Sequence, residues 1–328
     1  MILGIDPKVD YAFKHVFGRE TTRPLLINLL THVLNPASGH EIRDVELLNP
    51  FNSKEALDDK LSILDIKARD QAGRQFNVEM QMLAFRYYEK RILYYWAKLH
   101  QQQFHQGQDY LELKPTLSIS FLDHVLFPDV PNAHLRFRLL ETEHRFSFTD
   151  DLEFHLLELP KFRKSTEKLS SGLDLWLYFL RHAERMDTEA LPRAPQQRVS
   201  QALDELRTSE HEATVHTGAF LAALKQHPQE QPLVLRALEE LQMLAQSDVE
   251  RERYEARRKA QLDYNTGLKV ARMEGREEGR AEGEIGRIHL CEQLLKRPLT
   301  PTEQLTSRSL EELIELADDL QAQILKSE

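Results

Sequence analysis

Between Lys60 and Gln81 the sequence sets two acidic residues where a metal ion would suit them. The stretch Leu61 to Ala68, with Asp65 inside it, and the stretch Gln75 to Met82, with Glu79, both alternate in the manner of strands. Between them Gln71, Ala72 and Gly73 make a three-residue hairpin loop in which Gly73 can take positive φ. Closing that hairpin with Asp70 opposite Arg74 sets Lys67 opposite Asn77, Asp65 opposite Glu79 and Ile63 opposite Gln81. Strand side chains alternate, so all of these project from one face. Two carboxylates facing each other across a strand pair repel, and a cation between them relieves the repulsion. Hard oxygen ligands suit Mg²⁺ or Mn²⁺, and a water on such an ion becomes a nucleophile near neutral pH. Acidic residues on a solvated sheet surface would look the same, and the spacing alone leaves that reading open.

The elements that must position this pair are legible around it. Residues 9 to 17 read as a short helix offering Tyr11, Phe13 and Phe17 to a core. Thr22 and Pro24 open a second helix that carries Leu25, Leu29, Leu30 and Val33 up to the Asn35-Pro36 break. Val45 to Leu48 is a strand ahead of the hairpin, and Phe85, Tyr88, Ile92, Trp96 and Leu99 recur at helical spacing after it. Further strands are expected at Thr116 to Leu122, His134 to Leu140 and Leu152 to Leu159. After Pro160 the pattern is helical: Leu169, Leu173, Trp176 and Leu180, then Val199, Ala202, Leu203 and Leu206. Residues 247 to 290 are dense in charge and hold Gly275, Gly279, Gly283 and Gly286. On a helix these glycines fall within roughly 80° of one another. Such a stripe suits close approach of a second helix, and hence a homodimer; a flexible charged linker is the alternative. Ser309 with Glu312 is a possible capping box for a terminal helix. The expected organisation is an α/β domain over 1–160, a helical region over 161–246, a glycine-striped helix and possible dimerisation segment over 247–290, and a small helical tail over 291–328.

With 328 residues, 41% hydrophobic and 29% charged, the chain has the composition of a soluble globular protein. No apolar run approaches the roughly 20 residues of a membrane span, and the first ten residues do not resemble a secretory signal. Cys291 is the single cysteine, which excludes an intramolecular disulfide and a cysteine-cluster metal site and fits a reducing compartment, so a cytoplasmic protein is expected. The net charge of −10 argues against a chain-wide nucleic-acid surface but leaves room for a local basic cleft.

The run Asp65 followed by Asn77-Val78-Glu79-Met80-Gln81 resembles the core of the PD-(D/E)XK nuclease superfamily. Within it, the chain resembles the Rpn proteins, recombination-promoting nucleases also described as putative transposases. Their pattern is an Asp-bearing strand, a glycine turn, then Asn-x-Glu-x-Gln, with Gln where the wider superfamily has Lys. Asp10-Tyr11-Ala12-Phe13-Lys14-His15-Val16-Phe17 is similar to their opening helix, and Glu274 to Gly286 to their C-terminal region. The resemblance implies a restriction-endonuclease-like mixed sheet flanked by helices, followed by an α-helical C-terminal region. It implies metal-dependent endonucleolytic cleavage of DNA that promotes recombination, with Mg²⁺ or Mn²⁺ as cofactor. Asp65 and Glu79 would be metal ligands together with the backbone carbonyl of Met80, and Asp10 an additional acid from the first helix. Gln81 would orient the attacking water or the phosphate. An amide is a weaker partner there than lysine, and Lys67, on the same face, is placed to supply the missing positive charge. Lys14, Arg86, Lys90 and Arg91 are the expected DNA contacts.

Other signals carry less. His211 and His216 are five apart, which turns them about 140° from each other on a helix and prevents a shared metal. Ser165 with Lys168 has a Ser-x-x-Lys spacing without the rest of such a site. Arg251, Arg253, Arg257, Arg258 and Lys259 form a local basic run that steers nucleic acid or pairs with neighbouring Glu. A catalytically weak nuclease fold serving as a DNA-binding or protein-interaction scaffold is the alternative to an enzyme, and RNA is an alternative substrate.

Overall fold

The computed structural model describes residues 1–49, 51–52, 62–63, 65–104, 109–191 and 211–327. The expected helix around Val199 to Leu206 lies outside the described residues. Two compact units emerge, Met1–Arg258 and Lys259–Glu328. The boundary expected at 160 therefore does not separate two bodies: the helices that follow it pack into the same core as the sheet.

The first unit is built on a six-stranded mixed sheet in the order β1-β4-β5-β6-β8-β7. Its strands are β1 (Val45–Leu48), β4 (Ile66–Asp70), β5 (Gln75–Gln81), β6 (Thr116–Leu122), β7 (His134–Arg138) and β8 (Leu152–Glu158). β1, β4 and β5 form an antiparallel meander, β6 and β8 join in parallel to it, and β7 closes the far edge antiparallel to β8. A separate short pair, β2 (Phe51–Asn52) with β3 (Ser62–Ile63), is inserted between β1 and β4.

β5 sits at the centre, and all seven of its residues are buried. Its alternation therefore does not separate core from solvent. It separates an apolar face, Phe76, Val78 and Met80, from a buried polar face, Gln75, Asn77, Glu79 and Gln81. Against the apolar face lie α1 (Asp10–Phe17), α2 (Arg23–Leu34) and α4 (Gly172–His182), joined in one core by α5 (Glu212–Lys225) and α6 (Gln231–Gln246). Phe13 meets Phe121 at 5.9 Å, and Phe17 meets Trp176 edge-on at 5.4 Å. The Trp176 indole N–H, buried with its ring, donates to Asn28 Oδ1 at 2.8 Å. The polar face is covered by α3 (Tyr88–Gln101), which lays Tyr88, Ile92 and Leu99 over it. Trp96 is fixed there by its N–H, which donates to the Thr116 carbonyl at 2.8 Å.

α2 ends as its sequence requires, with Asn35 in the left-handed conformation at φ 43° and its N–H on Thr31 O. Residues 248–294 form one long helix, α7 (Asp248–Leu294), rather than a flexible linker. A Cβ built on any of its four striped glycines would meet nothing within 4 Å among the described residues. In the second unit Ile285, Ile288 and Cys291 pack with Leu305 of α8 (Thr302–Thr306) and with Leu313, Ala317 and Leu320 of α9 (Leu310–Ser327). The capping box of α9 is formed: Ser309 N–H donates to Glu312 Oε2 at 2.9 Å, and Glu312 N–H to Ser309 Oγ at 3.3 Å. Among the described residues no helix is long and apolar enough to cross a membrane.

Candidate metal centre

The hairpin that presents the acidic pair closes as its residues dictate. Gly73 takes φ +86°, its N–H donates to Asp70 O at 3.0 Å, and Asp70 N–H donates to Arg74 O at 3.0 Å. The buried Asp70 carboxylate holds the loop by accepting from Ala72 N–H, Arg74 N–H and, at 2.6 Å, the Arg74 guanidinium. That closure sets Lys67 opposite Asn77 and Ile66 opposite Val78. Ladder pairing starts at Ile66. Asp65 occupies a bend just before it and returns to β5 through its side chain, whose Oδ2 accepts from Met80 N–H at 2.8 Å. One register expectation fails: Ile63 pairs with Phe51 in the short inserted sheet and so does not stand opposite Gln81.

Asp65 and Glu79 are both desolvated, and each feels the other's neighbourhood. Burial pushes the Glu79 carboxyl up to about 7, and the Asp65 charge pushes in the same direction. Arg91, the Asn77 amide and the Tyr88 phenol oppose that shift without cancelling it. Asn77 Nδ2 donates to Glu79 Oε1 at 3.2 Å. Burial also raises Asp65, against the pull of Lys14 and the Met80 N–H, with Asp10 adding to the rise. Two carboxyls that resist ionisation side by side are a set of hard oxygen donors short of positive charge. A divalent cation fits that deficit.

Lys14, on α1, brings its ammonium to 3.1 Å from Asp65 Oδ1 and 3.8 Å from Asp10 Oδ2. Asp10 is thereby linked to Asp65 through Lys14, its other oxygen accepting from Tyr11 N–H at 2.8 Å. Lys67 is engaged elsewhere. Its ammonium donates to Gln102 Oε1 at 2.9 Å, and burial, with Arg69 nearby, lowers its proton affinity. The cation that meets Asp65 comes from the first helix, not from the neighbouring strand.

Gln81 is held at both ends: its Nε2 donates to Leu83 O at 3.1 Å, and its Oε1 accepts from Arg91 Nη1 at 3.4 Å. Arg91 does not point out to solvent as a helix-face phosphate contact would. Its guanidinium lies 5.1 Å from the Phe85 ring centre, 6.0 Å from Tyr88 and 5.2 Å from Tyr95. It therefore carries positive charge to the polar face from above, close to Glu79. Arg86 and Lys90 remain outside, against the Tyr87 ring at 4.9 and 5.0 Å.

Sequence reasoning did not single out Tyr88, Ser118 and Ser120, which complete the polar face. Ser120 pairs with Glu79 and Ser118 with Asn77 across the parallel ladder, and Tyr88 is wholly buried over them. The signal was present in the sequence: Thr116, Ser118 and Ser120 repeat the period-two polar alternation of β5 within a strand otherwise apolar. Lys8 was also not singled out. At the same end of the sheet, where the Asp123 N–H donates to Gln81 O, Lys8 Nζ meets Asp123 at 2.9 Å and Asp6 at 3.7 Å.

The remaining candidates do not gather into sites. His216 stacks on Tyr178 and meets His182, inside a core of rings rather than around an ion. Arg253 pairs with Glu250 at 3.1 Å and Arg258 with Glu184 at 3.5 Å. Glu141, Glu143 and His144 bring ligand-type atoms within 4.8 Å of one another. They do so on an exposed turn where Glu141 already accepts from the Glu143 and His144 N–H groups. A family model described as PD-(D/E)XK nuclease family transposase matches residues 7–217. No curated protein and no solved structure matches the chain.

Proposed function

Because the chain belongs to the PD-(D/E)XK nuclease family of transposases, we propose that it is a Mg²⁺- or Mn²⁺-dependent DNA endonuclease that promotes recombination. The observation that carries this reading is the convergence of two carboxyls at one end of a central strand: Asp65, half-buried, accepts from Met80 N–H at 2.8 Å, beside the buried Glu79, whose carboxyl burial and the Asp65 charge both raise. Asp65, Glu79 and the Met80 carbonyl would hold the ion. When bound, the ion supplies a hydroxide-like water near neutral pH and neutralises charge on the phosphate.

The protein side of the chemistry is positioning and charge. The Met80 N–H fixes one Asp65 oxygen, leaving the other toward Lys14. The Asn77 amide holds Glu79 Oε1, so the carboxylate keeps one orientation. Arg91 holds the Gln81 carbonyl and places a full positive charge where a glutamine cannot. Lys14 and Arg91 thus take the role expected of Lys67. Asp10 stands behind Lys14 as the additional acid. Lys14, Arg86 and Lys90 would contribute phosphate contacts, and a cytoplasmic location is part of the same reading. Homodimerisation through the open glycine stripe of α7 would let two such centres face one duplex; Gly279→Leu then lowers the particle mass seen by light scattering.

Gln81, engaged at both ends, favours a second reading in which the same fold binds DNA and cuts it weakly or not at all. Plasmid incubated with the wild-type chain in Mg²⁺, then in EDTA, and with Asp65→Ala, separates the two. Metal-dependent nicking by the wild type alone supports the enzyme. Absence of nicking by both proteins supports the scaffold, and equal nicking by both refutes the assigned centre.

A further inference from the structure

The outer face of α3 differs from the rest of the chain. Acidic residues outnumber basic ones overall, 53 to 43, yet the exposed charges where this face begins are Arg86 and Lys90 against Glu89, with Arg91 turned inward. On this face two tyrosines stand out of the protein: Tyr87 is 53% exposed and Tyr94 44%. Tyr87 stands just before α3 begins, and Lys90 links it to Tyr94: its ammonium is 5.0 Å from the Tyr87 ring centre, and it lies about one helical turn before Tyr94 on the same side of the helix. Arg86 and Lys90 lie against the Tyr87 ring at 4.9 and 5.0 Å, which leaves cations at an aromatic surface.

Tyr87 is also held where an aromatic residue is seldom found. It precedes the first residue of α3 with φ 63° and ψ 36°, the left-handed region that costs a side-chain-bearing residue stability. The consequence of the turn is an opposition of neighbours. Tyr88 goes inward over Glu79, fully buried, while Tyr87 goes outward. The exposed ring is therefore one residue from the phenol that bears on Glu79, and Arg91, next to Lys90 in the chain, holds Gln81 on the inner side.

Apolar rings alone would suit a protein partner, and cations alone would suit a paired duplex held by its phosphates. Rings interleaved with cations suit a strand whose bases are unstacked, because each ring offers a π-face to a base while the cations follow the phosphates. We propose that the α3 face formed by Arg86, Tyr87, Lys90 and Tyr94 binds an unpaired nucleic-acid strand beside the metal centre. The substrate class is then DNA with a single-stranded or locally opened segment. This rests on the nuclease reading for its place in catalysis, but the binding itself does not.

The test measures binding without cleavage, with Ca²⁺ in place of Mg²⁺. The probes are a short DNA single strand carrying 2-aminopurine and the same sequence fully paired, each titrated with wild type, Tyr87→Ala, Tyr87→Phe and Lys90→Ala. The single strand should bind about tenfold more tightly than the duplex and its fluorescence should be quenched by stacking. Tyr87→Ala should lose about tenfold and the quenching, whereas Tyr87→Phe, which keeps the ring, retains both. Lys90→Ala should lower the salt slope by about one on both probes. Equal affinity for the two probes, or Tyr87→Ala binding and quenching as wild type does, overturns the proposal. A chain that binds in this way yet never nicks plasmid keeps the strand-binding surface and loses only the nuclease.

Discussion

Glu79 gives the sharpest handle on the metal centre, because its proton and the ion compete for the same oxygens. Burial and the Asp65 charge hold its carboxyl at about 7 in the metal-free protein. At pH 6 such a group is about tenfold more often protonated than not, at pH 7 it is about half protonated, and by pH 8 it is almost fully ionised. An ion that needs the carboxylate should bind about tenfold more weakly at pH 6 than at pH 8, a cost of about 1.4 kcal/mol. Calorimetric titration with Mn²⁺ in two buffers of different ionisation enthalpy should register release of about half a proton per ion at pH 7, and more below it. The stability of the metal-free fold changes with pH in the opposite direction. A carboxyl raised from its unfolded value stabilises the fold below about 4.5 and loses that contribution as pH rises through 7, so the gain in Tm on adding Mn²⁺ should be larger at pH 8 than at pH 6. A metal affinity flat from pH 6 to 8 with no proton release would refute the reasoning, as would an unchanged pH dependence in Glu79→Gln.

Three further outcomes follow from named contacts. Lys14→Ala should reduce cleavage by about 10- to 100-fold, since Lys14 is the ammonium on Asp65, while Lys67→Ala, which frees only Gln102, should stay within a few-fold of wild type in the same plasmid assay. Gly172→Ala places a methyl group inside contact distance of the His32 ring, and should cost about 1–3 kcal/mol by thermal melting, with His32→Ala in the same chain recovering much of it. Acid should unfold the far edge of the sheet. Burial would raise Glu153, but hydrogen bonds from His155 and Arg136 win and hold it at about 2, so its contribution is lost as pH falls from about 4.5 toward 2. Burial, with His155 and Arg136 beside it, holds His134 down to about 4, so the unfolded chain takes up that proton first as pH falls below 6.5. Because Glu79 gains stability as pH falls, the edge is read by difference: the Tm advantage of wild type over Glu153→Gln should shrink as pH falls from about 4.5 toward 2.

Local patterns carried most of the fold. The hairpin register was legible because Gly73 and the Asp70–Arg74 closure are adjacent in sequence, and the helix stop at Asn35 and the helix start at Ser309 are set by residues within one turn of the break. The same hairpin accounts for where the two candidate acids stand: Asp65 lies one residue before the ladder and accepts from Met80 N–H, next to Glu79. What escaped depended on contacts between distant segments. Sequence spacing favours Lys67 as the cation of the site; the packing of α1 against β5 instead puts Lys14 on Asp65, and the C-terminal end of α3 puts Gln102 on Lys67. Arg91 reads as a solvated helix residue by spacing, yet Phe85, Tyr88 and Tyr95 enclose it. The end of the first domain was misplaced at 160 because the shift from strands to helices is a change of composition, whereas the core runs on through Trp176, Leu221 and Leu241.

A crystal soaked in Mn²⁺ and measured near the manganese absorption edge tests the central claim most directly. A single anomalous peak within coordination distance of Asp65, Glu79 and the Met80 carbonyl, lost in Asp65→Ala, is the expected result. A saturating soak that leaves this position without a peak, or a peak that survives in Asp65→Ala, would contradict the metal centre on which the proposed activity depends.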